Sequence, residues 1–259
     1  MAFTDRWLAP GVCHITDALG VSMTLLCGEE RALLVDTGYG TEDVAAHVRS
    51  LTDRPLTVAL THAHHDHALG SRCFGRVLAD AAEAPVYAEY VCPERLDQAV
   101  GNARSQGLPV DESLPRRFPA PEPLPEGELS LGGLSVRVIR CPGHTPGSLV
   151  FAVPARGLLL TGDAWNPTTW CFFPEALPVR RHLKNLAALM ALPFAQVLCP
   201  HQSEPQPREK LAAFLDGMTE EALRNAPPSP EGEAMGIPTR RAELPDGQQL
   251  VFDPRKEDA

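Results

Sequence analysis

Short apolar runs that stop abruptly at polar residues are the dominant pattern of this chain. Residues 12–15, 22–27 and 32–35 read as strands, with Gly28, Glu29 and Glu30 forming a turn between the second and third. The third run stops at Asp36-Thr37-Gly38. Thr41 then has the character of a helix N-cap, with Val44, Ala45 and Val48 on one helical face behind it. Residues 56–60 form a further apolar strand, which runs straight into Thr61-His62-Ala63-His64-His65-Asp66-His67.

Beyond this point the pattern is less regular. Residues 85–90 are expected as a strand. Residues 93–105 are expected as a helix that buries Leu96, Ala99, Val100 and Ala103. Residues 107–127 are rich in helix breakers and carry no periodicity, so the segment reads either as a lid over a site or as a plain connector. Strands return at 128–131, 135–141, 148–153 and 157–161. Two of them feed polar motifs, Cys141-Pro-Gly-His144-Thr-Pro-Gly147 and Thr161-Gly-Asp163. A helix over 179–191, a strand over 196–199 leading to Pro200-His201, and a helix over 208–223 follow. A Pro-rich tail over 226–259 ends the chain, with 250–252 as an expected edge strand. No repeat or interdomain linker interrupts residues 1–259, which read as one domain.

Composition narrows the class. The hydrophobic fraction of 44% and charged fraction of 22% are ordinary for a soluble globular chain. A net charge of -10 disfavours nucleic acid and anionic membrane surfaces as partners. The pairs Arg116-Arg117, Arg180-Arg181 and Arg240-Arg241 are too short to reverse that, and they read as solvated surface or small anion contacts. No run of 18 apolar residues is present, and the first eleven residues lack the apolar core of a signal peptide. The seven scattered cysteines form no Cys-x-x-Cys pair. A reduced, cytoplasmic setting is therefore expected.

The chemistry is concentrated at the strand ends. Four histidines fall within the six residues 62–67. Alternate residues at a strand end point the same way, so His62 and His64 can reach one cation together. Asp66 and His67 fall where the chain turns and can aim at a second position. His65 alternates away and reads as filler. His144, on a Gly-flanked turn, would complete a three-histidine site with an open position for water. Asp163 is either a turn cap or a carboxylate bridging two cations, and His201 would complete the second site with Asp66 and His67. Asp36 would orient a ligand histidine through its other ring nitrogen, or simply cap a turn. Imidazole and carboxylate together suit zinc, with iron or manganese as substitutes. Trp165, Asn166, Thr168 and Trp170 are candidates to line a substrate pocket, with ordinary packing as the other reading.

These residues closely resemble the metallo-β-lactamase superfamily from Asp36 through His201. The resemblance implies an α+β, αββα four-layer sandwich of two mixed sheets with metals at one edge. It also implies His62, His64 and His144 on one ion, Asp66, His67 and His201 on the other, and Asp163 between them. The implied function is a hydrolase with two zinc ions sharing a hydroxide, acting on a small-molecule ester, lactone, thioester or amide-like bond, with Asp66 orienting the nucleophile. Lactonases and glyoxalase II share this ligand set. The lactonase tyrosine three residues after the bridging aspartate is Asn166 here. Two alternatives stay open: a mononuclear iron dioxygenase acting on a sulfur substrate, and a β-lactamase-type cyclic amide hydrolase. Oligomeric state has no sequence signal.

Overall fold

The computed structural model describes residues 3–256. Its first sheet has seven strands in the order of the chain: β1 (Thr4–Ala9), β2 (Val12–Thr16), β3 (Ser22–Cys27), β4 (Ala32–Val35), β5 (Leu56–Ala59), β6 (Leu78–Ala79) and β7 (Glu122–Pro123). The first four are antiparallel, and β4 through β7 are parallel. The second sheet contains β8 (Gly127–Ser130), β9 (Ser135–Arg140), β10 (Leu149–Val153) and β11 (Leu158–Leu160). A third, four-stranded sheet contains β12 (Thr168–Cys171), which pairs in parallel with a late strand described below. The second sheet is completed by β13 (Gln196–Leu198), parallel to β11, and by β14 (Gln206–Pro207).

The period-2 alternation within strands explains the layering. Leu33 and Val35 of β4 face Leu149, Phe151 and Val153 of β10 in a core between the two sheets. Ala32 and Leu34 point the other way, onto Val44 and Val48 of helix α1 (Val44–Leu51). Val150 and Ala152 of β10 likewise face outward, towards Leu186 and Leu189 of a helix over Val179–Leu189 and Leu211 and Phe214 of a helix over Arg208–Gly217. The chain is thus an αββα sandwich.

Several local expectations are corrected. The N-cap of α1 is Asp43, whose side chain accepts from the Ala46 N–H at 2.9 Å, while Thr41 lies buried upstream. Helix α2 (His65–Ala68) is a single turn within the first motif. Residues 85–90 are helical, as α3 (Ala84–Tyr90): Pro85 sits in the first turn, where its missing N–H costs nothing, and Val86, Tyr87 and Tyr90 share the buried face. Helix α4 (Pro93–Ser105) has the expected limits. After α5 (Val179–Leu189), the expected helix over 208–223 is two, α6 (Arg208–Gly217) and α7 (Glu220–Asn225). The break falls at Gly217, and Thr219 caps the second helix by accepting from the Ala222 N–H.

Two long stretches are also placed. Residues 107–121 run over the outside of the first sheet before entering β7. Asp111 N–H bonds Thr41 O, Arg72 donates to Pro115 O, and the Tyr87 hydroxyl donates to Pro119 O. The C-terminal stretch is a folded layer. Strands β15 (Pro228–Ser229), β16 (Thr239–Glu243) and β17 (Gln249–Phe252) build the third sheet in the order β12-β17-β16-β15. The expected edge strand is therefore interior, flanked by β12 and β16, because β12 supplies a parallel partner that apolar alternation alone did not reveal. Residues 257–259 of that stretch lie outside the described residues. Among the described residues, no helix is long and apolar enough to cross a membrane.

Phe151 is fully buried between the two main sheets. Phe151→Ala is expected to destabilise the fold by about 3–5 kcal/mol, read as a lower urea midpoint with an unchanged denaturant slope.

Candidate metal centre

The strand ends bring the histidines together as the motif spacing requires. Strand β5 ends at Ala59, and His62, His64 and His67 follow on the loop and on α2. His144 comes from the turn between β9 and β10, Asp163 from the residues after β11, and His201 from the loop after β13. Two groups result: His62, His64 and His144, and Asp66, His67, Asp163 and His201. Within each group the ligand-type atoms lie within 4.8 Å of one another. Asp163 faces both, with Oδ2 3.8 Å from His144 Nε2 and 3.2 Å from His201 Nε2, and Oδ1 3.6 Å from His67 Nε2. Gly162 permits this approach. Its φ is 52°, and an added Cβ would stand 2.5 Å from the Thr61 side chain.

The outer nitrogen of each inner histidine is committed. His67 Nδ1 lies 3.0 Å from Asp36 Oδ2, and His144 Nδ1 lies 2.6 Å from the Trp170 carbonyl. His64 Nε2 lies 2.5 Å from Glu175 Oε1, and His62 Nδ1 lies 3.1 Å from the Thr61 hydroxyl. Since carboxylates and carbonyls only accept, the rings that face them carry protons on the outer nitrogens, and the neutral rings among them turn lone pairs inward. Asp36 is the hub. It is buried, its φ of 66° is the only positive value at a non-glycine among the described residues, and it accepts from Thr61 N–H and Oγ1–H as well as from His67. A strained backbone held by bonds of this kind marks a position fixed for function.

The inward atoms fit a cation. His62 Nε2, His67 Nε2 and Asp163 Oδ1 are buried without a hydrogen-bond partner. His64 Nδ1 and His144 Nε2 lie 2.9 Å apart, and the assignment above gives both of them lone pairs. Such an arrangement repels unless a proton or metal ion sits between. An N/O donor set of this kind suits a divalent metal.

The electrostatics divide the two groups. Burial, reinforced by neighbouring imidazoles, holds His62 well below 6.5, and burial with His64 pushes His144 down to about 4. Burial opposes charge on His67 too, but Asp66, Asp163 and Asp36 outweigh it and raise that ring. Asp163 raises His201. Burial disfavours the charged carboxylates of Asp66 and Asp163, yet His67 and His201 hold both low. The site opens at its second group: His201 is 35% exposed, whereas the side chains of His67 and His144 are at most 1% exposed.

Some expected site residues are placed elsewhere. Trp165 is a correction: it is fully buried and packs against Phe214 beneath the site, with ring centroids 6.3 Å apart. Asn166 is buried, and its Oδ1 accepts from Thr168 N–H, so it shapes the turn into β12. Thr168 is exposed at the start of that strand. Trp170 is 38% exposed and stands near Phe173, which in turn lies 4.7 Å from the His64 ring. Tyr90 stands on the same ring at 4.6 Å. His65 lies outside both groups, against Tyr39 and Tyr90. Sequence reasoning missed Glu175 and Tyr90, which belong to no motif, whereas Phe173 ends the segment 164–173 expected beside Asp163. It also missed His14, whose Nε2 lies 3.2 Å from Gln202 O and so braces the His201 loop.

The comparisons agree with this geometry. The family model described as metallo-beta-lactamase superfamily matches residues 16–169, and the chain belongs to that superfamily. An acyl-coenzyme A thioesterase, MBLAC2, of Bos taurus is 30% identical over 156 residues, covering 54% of this chain and 56% of the relative. A hydroxyacylglutathione hydrolase of Xylella fastidiosa (strain M12) is 29% identical over 181 residues, covering 69% and 58%. The chain thus spans somewhat over half the length of these curated relatives. A metallo-beta-lactamase family protein from Thermus thermophilus superposes with a TM-score of 0.62 at 21% identity, covering 94% of this chain and 99% of the other. A further structure, TTHA1623 in a di-iron-bound form, gives 0.56 at 25% identity, covering 81% and 96%.

The pKa pattern fixes the acid sensitivity of the metal-free protein. His144, His62 and the buried His182, pushed down to about 3 by burial, stay neutral in the fold but take protons near 6.5 when unfolded. Stability from these depressed bases is present above 6.5 and lost as pH falls towards 4. The depressed Asp66 and Asp163 extend the loss below 4, while the raised carboxyls of Asp17, Glu42 and Glu83 oppose it. The melting temperature of metal-free protein is therefore expected to fall steadily between pH 6.5 and 4. A flat profile across that window contradicts the assignment.

Proposed function

We propose that this protein is a metal-dependent hydrolase with two cations per chain that cleaves a small-molecule thioester, with esters and lactones as related substrates. The observation that carries the reading is Asp163, whose carboxylate faces both histidine groups. Under this reading His62, His64 and His144 hold one ion, Asp66, His67 and His201 the other, and Asp163 joins them. Zinc is the metal favoured by the donor set, with iron or manganese as substitutes. When bound, such a pair lowers the pKa of water and polarises an acyl carbonyl.

The remaining work falls to the chain itself. Asp66 Oδ2 lies 3.5 Å from both His67 Nε2 and His201 Nε2 on the open side, where it can orient the attacking water. Water adds to the acyl carbon, the C–S bond breaks, and a carboxylate and a thiol leave. Trp170, Phe173 and Tyr90 form an aromatic wall beside the buried histidines that suits an apolar acyl group and excludes bulk water. Thioester chemistry is supported by the names of two relatives, the acyl-coenzyme A thioesterase and the hydroxyacylglutathione hydrolase. The second group, with Asp66, His67 and His201 together, weighs against a mononuclear iron dioxygenase.

A panel of acyl-coenzyme A, acyl-glutathione, lactone and β-lactam substrates is expected to show turnover of the thioesters first. Asp163→Ala is expected to lose at least one ion per chain and to reduce turnover by about a thousandfold or more, since both polarisation and positioning depend on the ions. Full metal loading and full turnover in that variant would sink the bridging role. Preferred turnover of β-lactams would redirect the substrate assignment.

A further inference from the structure

Two of the three histidines in the first group are held from outside by one short stretch of chain. His144 Nδ1 donates to the carbonyl of Trp170, in β12, and His64 Nε2 donates to Glu175, four residues beyond the end of that strand. Neither acceptor falls within residues 16–169, the part that matches the family. What fixes this stretch is the C-terminal layer. Strand β17 pairs in parallel with β12, Cys171 opposite Phe252, so both strands end side by side. The chain leaving β17 then turns, and Lys256 places its ammonium against the loop leaving β12. Nζ donates to Phe173 O at 2.8 Å, Pro174 O at 2.7 Å and Ala176 O at 2.8 Å. An ammonium has three protons, and all three are used.

These three carbonyls bracket Glu175. Its side chain is 13% exposed, and its second oxygen is buried without a hydrogen-bond partner. The loop therefore has little freedom to swing Glu175 off His64.

We propose that Glu175 is a positioning residue that fixes the ring of His64 with Nδ1 turned inward, and that Lys256 acts through Glu175 by clamping its loop. The C-terminal layer is thereby part of the metal centre without touching it. This rests on the metal reading above for its consequence, but the orientation of His64 is a property of the protein alone.

The test reads both levels in the full chain. In metal-free protein labelled with 15N-histidine, the His64 Nε2–H is expected as a slowly exchanging, downfield signal. It should be lost in Glu175→Ala and should exchange faster in Lys256→Met. Zinc affinity, measured by chelator competition, should fall about tenfold to a hundredfold in Glu175→Ala, the range found when the hydrogen-bond partner of a metal ligand is removed. Lys256→Met should lower it in the same direction. It should have no further effect in the Glu175→Ala background, because it acts through that residue. Glu175→Gln keeps an acceptor oxygen in place and should restore most of the affinity and the Nε2–H signal.

An unchanged Nε2–H signal in Glu175→Ala overturns the positioning role. A Lys256→Met effect that survives undiminished in the double variant overturns the clamp. Glu175→Gln falling as far as Glu175→Ala shows that charge rather than placement matters, and overturns the assignment as stated. A wild-type protein that shows the expected His64 signals but binds no zinc contradicts the metal reading and leaves the positioning role supported.

Discussion

The structure of the site follows from one constraint: His62, His64, His67 and His144 each have one ring nitrogen committed to a protein partner. Asp36, the Thr61 hydroxyl, Glu175 and the Trp170 carbonyl take the outer nitrogens, so only one nitrogen per ring remains to face the centre. An imidazole left free could flip or change tautomer, and a cluster of four would lose its shape. The strain at Asp36 is explained in the same terms. Its left-handed backbone brings the carboxylate from the end of β4 onto Thr61 and His67, beyond the end of β5, at the cost of an unfavourable φ. In the first group His64 Nδ1 and His144 Nε2 then face each other at 2.9 Å, lone pair to lone pair, an arrangement that a cation between them would relieve.

This arrangement also sets the division of labour between the two groups. The first is enclosed and made of imidazoles alone, which suits it to holding an ion firmly. The second carries the carboxylates and opens to solvent at His201, which suits it to meeting a substrate. The sandwich supplies the rigidity. Both sheets end at the same edge, and the Phe151 layer between them keeps the loops that carry His67 and His144 at a fixed separation.

Much of this was legible in the sequence because it is local. Alternation within 62–67, the glycines around His144 and the apolar runs before Asp36 and Asp163 each fix a direction or a turn without reference to distant residues. The misreadings are of the opposite kind. Residues 85–90 contain the aromatic and β-branched residues of a strand, and they fold as a helix because their apolar side chains meet the core over α2 and α4. The place of Trp165 beside Asp163 left pocket and packing both open, and only its neighbour across space, Phe214 of α6, decides for packing. Glu175 and Lys256 gave no signal at all. Their roles depend on the parallel pairing of β12 with β17, two segments separated by most of the second half of the chain. Contacts of that sequence distance leave no periodic trace.

The central claim is that two cations occupy the facing groups. Metal analysis of protein purified without chelator, combined with protein quantitation on the same sample, tests it most directly. The account predicts about two divalent ions per chain, falling to about one when His201 is replaced by alanine. A single ion per chain in the wild-type protein, unchanged by loss of His201, would contradict it.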